Sequence, residues 1–131
     1  MLESMLYLTD ADVRQAMTTA EAVDLAEKGI RADADGQVAG DKFYMAVGEE
    51  GFIKPFSGYL AGDELAFVKT FSFFPGNPAQ FGCGATSSVV LLFDAASGLP
   101  VCLMEGDWVT GLKTGASTAV TAAWLARPGA E

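Results

Sequence analysis

Few side chains in this 131-residue chain can do chemistry, and their types narrow it at once. There is no histidine, which removes Ser-His-Asp and Cys-His catalysis and the commonest zinc ligand. Cys83 and Cys102 lack C-x-x-C spacing, so neither a metal knuckle nor a redox pair is indicated, and both are expected to be reduced, buried thiols. Lysines and carboxylates remain. Residues 1–64 carry 13 acidic and 5 basic groups, whereas residues 65–131 carry 4 and 3, so the second half is expected to be the buried half. In that charge-poor half Lys69 and Lys113 stand among Phe, Leu and Ala, where an ammonium group costs free energy unless it is paired or reaches water along its stem. Two readings follow. The lysines snorkel or pair with Glu105 or Asp107, or their ammonium groups converge on an anionic substrate group such as a carboxylate. Lys42 is a third candidate for the same role.

Two glycine motifs invite a nucleotide and fail on context. Gly82-Cys83-Gly84-Ala85-Thr86-Ser87 partly matches the dinucleotide fingerprint, but it precedes a strand where the fingerprint must follow one and open a helix. GDWVTGLKT, Gly106 to Thr114, nearly spells a phosphate-binding loop between a strand and a helix. Its extra Leu112 turns the lysine by about a hundred degrees on a helix. Trp108 and Val109 stand where backbone amides should wrap phosphate, and no parallel sheet follows.

The elements that must position these lysines can be read from periodicity. Lys69 lies in a strand from Leu65 to Phe73, where alternation places it with Leu65, Phe67, Phe71 and Phe73 on one aromatic face. Lys113 lies on a long helix from Glu105 to Ala126, at the edge of a stripe formed by Val109, Leu112, Ala116, Ala119, Val120 and Ala123. That helix is mostly Gly, Ala, Ser and Thr, so it suits close approach by another backbone, and Arg127-Pro128-Gly129 ends it. Upstream, Leu6 to Leu8 is strand-like. Thr9 caps a short helix to about Met17, and the Thr18/Glu21 capping box opens a second helix that stops at Gly36. The first forty residues are thus an acidic helix pair. An edge hairpin follows, with Lys42 on its first strand and its second strand, Phe52 to Tyr59, interrupted by Pro55. The segment from Pro75 to Thr86 reads as an irregular loop, Ser88 to Phe93 as a central strand buried on both faces, and Leu99 to Met104 as its hairpin partner. The class is α+β: an N-terminal helix pair, a mostly antiparallel sheet of about five to six strands, and a long C-terminal helix.

Composition excludes several functions. Length favours a single domain with one core. A formal charge of −9, with 8 basic residues against 17 acidic, argues against nucleic acid and for a soluble protein. The start, MLESMLYLTD, lacks a basic n-region and a long apolar run, and Val89 to Phe93 is too short to span a bilayer, so a cytoplasmic protein without a membrane partner is expected.

The runs FVKTFSFFPGNP, LLFDAASGLP and GLKTGAST, with the opening LYLTDADVRQAM, resemble the amino-terminal half of the ornithine cyclodeaminase and mu-crystallin family, and the resemblance covers essentially the whole chain. It implies a domain that builds a homodimer through its sheet and offers basic residues to an amino-acid carboxylate, in enzymes that bind NAD or NADP in a Rossmann domain. Lys69 corresponds to the family's strand lysine, assigned to catalysis and substrate binding. Lys113 corresponds to a helix arginine and Lys42 to an earlier arginine, both assigned to substrate binding. Lysine at those two positions cannot form the bidentate fork with a carboxylate. Phe52 lies near the place where ornithine cyclodeaminases carry an acid for the distal amine, which argues against ornithine. The resemblance further implies a fragment, with residues 1–126 as substrate-binding and dimerisation domain and 127–131 as the start of a linker to a Rossmann domain. The fragment itself is expected to hold no cofactor tightly and to be inactive alone. A mu-crystallin-like, non-catalytic binding or structural module is the alternative.

Overall fold

The computed structural model describes residues 4–130, so the first residues of the expected domain and the last of the expected linker lie outside the described residues. The chain runs β1 (Leu6–Leu8), α1 (Asp10–Ala16), α2 (Thr19–Ala34), β2 (Val38–Lys42), β3 (Met45–Val47), β4 (Gly51–Leu60), β5 (Leu65–Phe73), α3 (Asn77–Phe81), β6 (Thr86–Asp94), β7 (Pro100–Glu105) and α4 (Asp107–Leu125). The α+β class holds, with seven strands in place of the expected five to six. The sheet order is β1-β7-β6-β5-β4-β2, and β3 also pairs with β4. Every pairing is antiparallel except β1 with β7, so the sheet is mixed.

Local chemistry accounts for the helix starts. Thr9 accepts from the Asp12 amide while the Asp12 carboxylate accepts from the Thr9 amide, and Thr18 and Glu21 repeat the arrangement for α2. Gly36 ends α2 with φ +71°, a conformation that favours glycine. The helix pair is shorter than expected, because Val38–Lys42 already belongs to the sheet.

Pro55 does not interrupt β4. It sits where the partner of β4 changes, Lys42 pairing with Phe56 and Met45 with Ile53, so no ladder N–H is required of it on that side. Its carbonyl accepts instead from the Phe43 amide at 3.0 Å. The expected loop before β6 contains α3, entered through Pro78 and closed by Gly82 at φ +67°, a single turn that spacing alone did not reveal.

The helices gather on one face. α4 lies on β6, α2 and α1 pack on α4, and α1 also meets the β1–β7 edge. Arg14 stacks over the Trp108 ring at 4.0 Å and Arg31 over Trp124 at 5.0 Å, clamping α1 and α2 to either end of α4. Ala116 and Val120 of the expected stripe are buried, but Ala119 and Ala123 are exposed. β6 is likewise covered on one face only: Ser88 and Val90 are buried under α4, while Val89 on the other face is 44% exposed. Burial is shared between the halves of the chain, Val13, Ala22 and Ala32 joining Val90, Cys102, Ala116 and Val120.

The outer face of β5 to β7 and β1 bears Tyr7, Val68, Val89, Leu91, Phe93 and Leu103, and no helix is packed on it among the described residues. The accessible surface is 9197 Å² for 13.7 kDa, against about 6,600 Å² expected of a folded monomer of that mass. The excess is apolar in part, with large side chains such as Leu125, Trp124 and Phe81 standing in solvent.

Candidate functional site

Register places the lysines. Across the sheet, Lys42, Phe56, Lys69, Val90, Met104 and Leu8 are successive partners, and residues directly opposite one another share a face. Lys42 and Lys69 therefore stand on the face that carries α4, two strands apart and about 9.5 Å between strand axes. The neighbouring row on that face is Lys54, Phe71 and Ser88. α4 covers β6 but not β4 or β5, which leaves an open shelf floored by Phe52, Phe56, Phe71 and Phe73 beside the start of α4.

That start is tightly seated. The Gly106 amide donates to Ser88 O at 2.8 Å, and Ser88 Oγ donates to Asp107 Oδ1 at 3.1 Å and lies 2.9 Å from Thr110 Oγ1. A Cβ on Gly106 would meet Ser88 Oγ at 2.9 Å, so glycine is what lets the strand and helix backbones approach. Of the amides in the first turn, that of Trp108 is already used, donating to Asp10 Oδ1 at 3.2 Å. An acid of α1 thus occupies the place where a phosphate would bind, which is the geometric reason the near phosphate-binding loop is not one.

Lys113 lies within electrostatic reach of Lys69. Lys69 is half-buried, and its pKa is lowered, first by burial of the ammonium and then by repulsion from Lys113, with Asp107 opposing the shift. Of the two carboxylates expected as partners, Glu105 is committed elsewhere, accepting from Tyr7 O–H at 3.0 Å and the Asp10 amide at 2.7 Å. Asp107 acts on Lys69 by its field, without an ion pair inside 4 Å: among the described residues only Arg31 and Glu27 form one. Lys113 is exposed on α4, and Lys42 is exposed at the sheet edge in the row of Lys69.

Lys54 belongs to the same shelf, and spacing was enough to find it: Phe52, Lys54 and Phe56 alternate, but the expected break at Pro55 hid their common face. Lys54 is a diagonal neighbour of both Lys69 and Lys42, across Phe71 and Phe56 respectively. The gap between β2 and β3 leaves room beside it for Tyr44. Its Nζ lies 5.7 Å from the Tyr44 ring centroid and 5.6 Å from that of Phe52.

The remaining candidates stay outside. Cys102 is buried, with its thiol pKa raised by desolvation, but Cys83 is exposed in the α3–β6 connection, contrary to expectation. Gly82–Ser87 leads into β6 and opens no helix. Among the described residues no cluster of three metal-ligating side chains occurs, and no helix is long and apolar enough to cross a membrane.

Residues 3–131 match the sequence profile of the ornithine cyclodeaminase/mu-crystallin family. The chain belongs to that family. Alanine dehydrogenase of Archaeoglobus fulgidus is 29% identical over 123 residues, 93% of this chain but 37% of the relative. The structure of Thermococcus litoralis Δ1-pyrroline-2-carboxylate reductase, in complex with NADH and L-proline, superposes with a TM-score of 0.89 at 30% identity, over 94% of this chain and 38% of that one. An archaeal alanine dehydrogenase dimer with bound NAD superposes with a TM-score of 0.90 at 27% identity, covering 97% and 39%. The chain thus spans well under half the length of these family members, and its likeness is to their amino-terminal portion as expected.

Proposed function

We propose that residues 1–126 are the substrate-binding and dimerisation domain of an NAD- or NADP-dependent enzyme that transfers hydride at the α-carbon of an amino or imino acid, with cyclodeamination as one version of that chemistry. Residues 127–131 begin the linker to the nucleotide-binding half. The observation that carries this reading is the shelf itself: in a chain of formal charge −9, Lys69 is half-buried over an aromatic floor within the field of Lys113, and among the described residues neither lysine has an ion-pair partner. Cations held in that way are poised for an anion.

Neither glycine motif in this chain fits a dinucleotide, since one leads into a strand and the other has its amides taken by Ser88 and Asp10. The cofactor is therefore assigned to the part of the complete protein beyond this domain. When bound there, it supplies or accepts the hydride. This chain's residues hold the substrate: Lys113 and Lys42 take the α-carboxylate, and Lys69 takes it too or moves a proton at its depressed pKa. The relatives that bind NADH with proline, or NAD as a dimer, support this assignment. The uncovered outer face of the sheet, with the large accessible surface, supports a homodimer formed through it.

Nicotinamide-cofactor titration of the complete protein tests the proposal, with NAD(P)H oxidation followed in the presence of ammonia and 2-oxo acids. Saturable binding and turnover are expected. No cofactor binding, together with tight binding of a hydrophobic acid, would overturn it in favour of a non-catalytic binding protein.

A further inference from the structure

Lys54 is a cation in excess of what one carboxylate needs. Diagonal neighbours on adjacent strands are about 7–8 Å apart at their backbones. Lys54 stands in that relation to both Lys69 and Lys42, and the three surround Phe56. With Lys113 the shelf gathers four of the chain's 8 basic residues, and the one carboxylate whose field reaches Lys69 there is Asp107. Asp41, beside Lys42, pairs across to Ser57 on the opposite face and accepts from its own neighbour's amide. One α-carboxylate would leave the shelf still strongly positive. Like charges at this spacing are destabilising unless anions sit between them.

Lys54 also differs from the other three in how it is held. Its ammonium lies near two aromatic faces, Tyr44 and Phe52, whose rings are themselves 5.2 Å apart, so its direction is set by packing. It sits on β4 in the row of Phe71 and Ser88, the row on which α4 starts, with the apolar rings of Phe56 and Phe71 lying between it and Lys69. A ligand whose α-carboxylate lies between Lys69 and Lys113 would run its side chain over that floor toward Lys54.

We propose that Lys54 is a specificity-determining residue that holds a second anionic group, so that the preferred ligand is a short dicarboxylic amino or imino acid. This rests on the assignment of Lys69 and Lys113 to the α-carboxylate. A charge-assisted hydrogen bond from Lys54 gives about a tenfold or greater preference for a dicarboxylate over its neutral isostere.

Calorimetric titration of the protein with L-aspartate and L-asparagine, which share shape and differ in charge, reads this directly. Aspartate is expected to bind at least about tenfold tighter at low ionic strength. Lys54→Met is expected to bring the ratio near one chiefly by weakening aspartate, and Lys54→Arg to keep the preference, with circular dichroism establishing that each variant is folded. Equal binding of the two ligands, or a preference that survives in Lys54→Met, overturns the second-anion assignment. In that case loss of both ligands in Lys69→Met leaves the α-carboxylate site standing. If neither ligand binds, or Lys69→Met alters neither affinity, the α-carboxylate reading fails and this one with it.

Discussion

Lys69→Met separates a functional lysine from a structural one. The side chain is half-buried between Phe56 on β4 and Val90 on β6, so methionine fills nearly the same apolar volume and adapts to it. No carboxylate is left unpaired, because Asp107 keeps its bond from Ser88. The sign of the electrostatic effect follows from the lowered pKa. The unfolded chain holds this proton more tightly than the folded one, so wild-type stability rises as pH climbs from the folded pKa to the ordinary lysine value. Below that window the charged ammonium is a net burden that methionine removes. The variant is therefore expected to be neutral or more stable at pH 7, by on the order of 0.5 kcal/mol, with the difference shrinking through the alkaline window. Carboxylate binding moves the other way. Loss of one charge-assisted contact, about 1.5–3 kcal/mol, weakens affinity roughly ten- to a hundredfold. Urea unfolding at pH 7 and at alkaline pH, alongside calorimetric titration with an amino acid, measures both quantities. A stability loss above about 2 kcal/mol with affinity retained would refute the reasoning and make Lys69 a packing residue.

Two further outcomes test the frame around the site. Gly106→Ala pushes a methyl group against Ser88, whose Oγ lies 2.9 Å and backbone carbonyl 3.1 Å from the added Cβ. It should cost about 1–3 kcal/mol in urea unfolding and weaken carboxylate binding by displacing the start of α4; unchanged stability would mean that the β7–α4 junction is slack. On the outer sheet face, Val89→Lys places a charge at a position 44% exposed in the single chain. Light scattering should show the dimer dissociating while circular dichroism stays constant, and a dimer that persists would place the interface elsewhere.

How much was legible in the sequence depended on the range of the interaction responsible. Capping and periodicity are local, so Thr9 and Thr18 announced α1 and α2, alternation announced β5 with Lys69 on its aromatic face, and Gly106 announced the turn into α4. The α+β class and the family motifs followed from the same short-range signals. The errors were non-local. Whether Pro55 breaks a strand depends on which partner lies beside it, and here it falls at the switch from β2 to β3, which restored β4 and brought Lys54 to the shelf. The continuous apolar run of β6 predicted burial on both faces, yet helices cover only one, because hydrophobicity records that a face must be covered without recording by what. The residue types alone singled out Lys69 and Lys113 and left Lys42 as a third candidate. That Lys42, Lys54 and Lys69 share one face was decided by register across three strands, and that Glu105 is unavailable to any of them was decided by its bonds to Tyr7 and Asp10, far away in the chain and adjacent only in the fold.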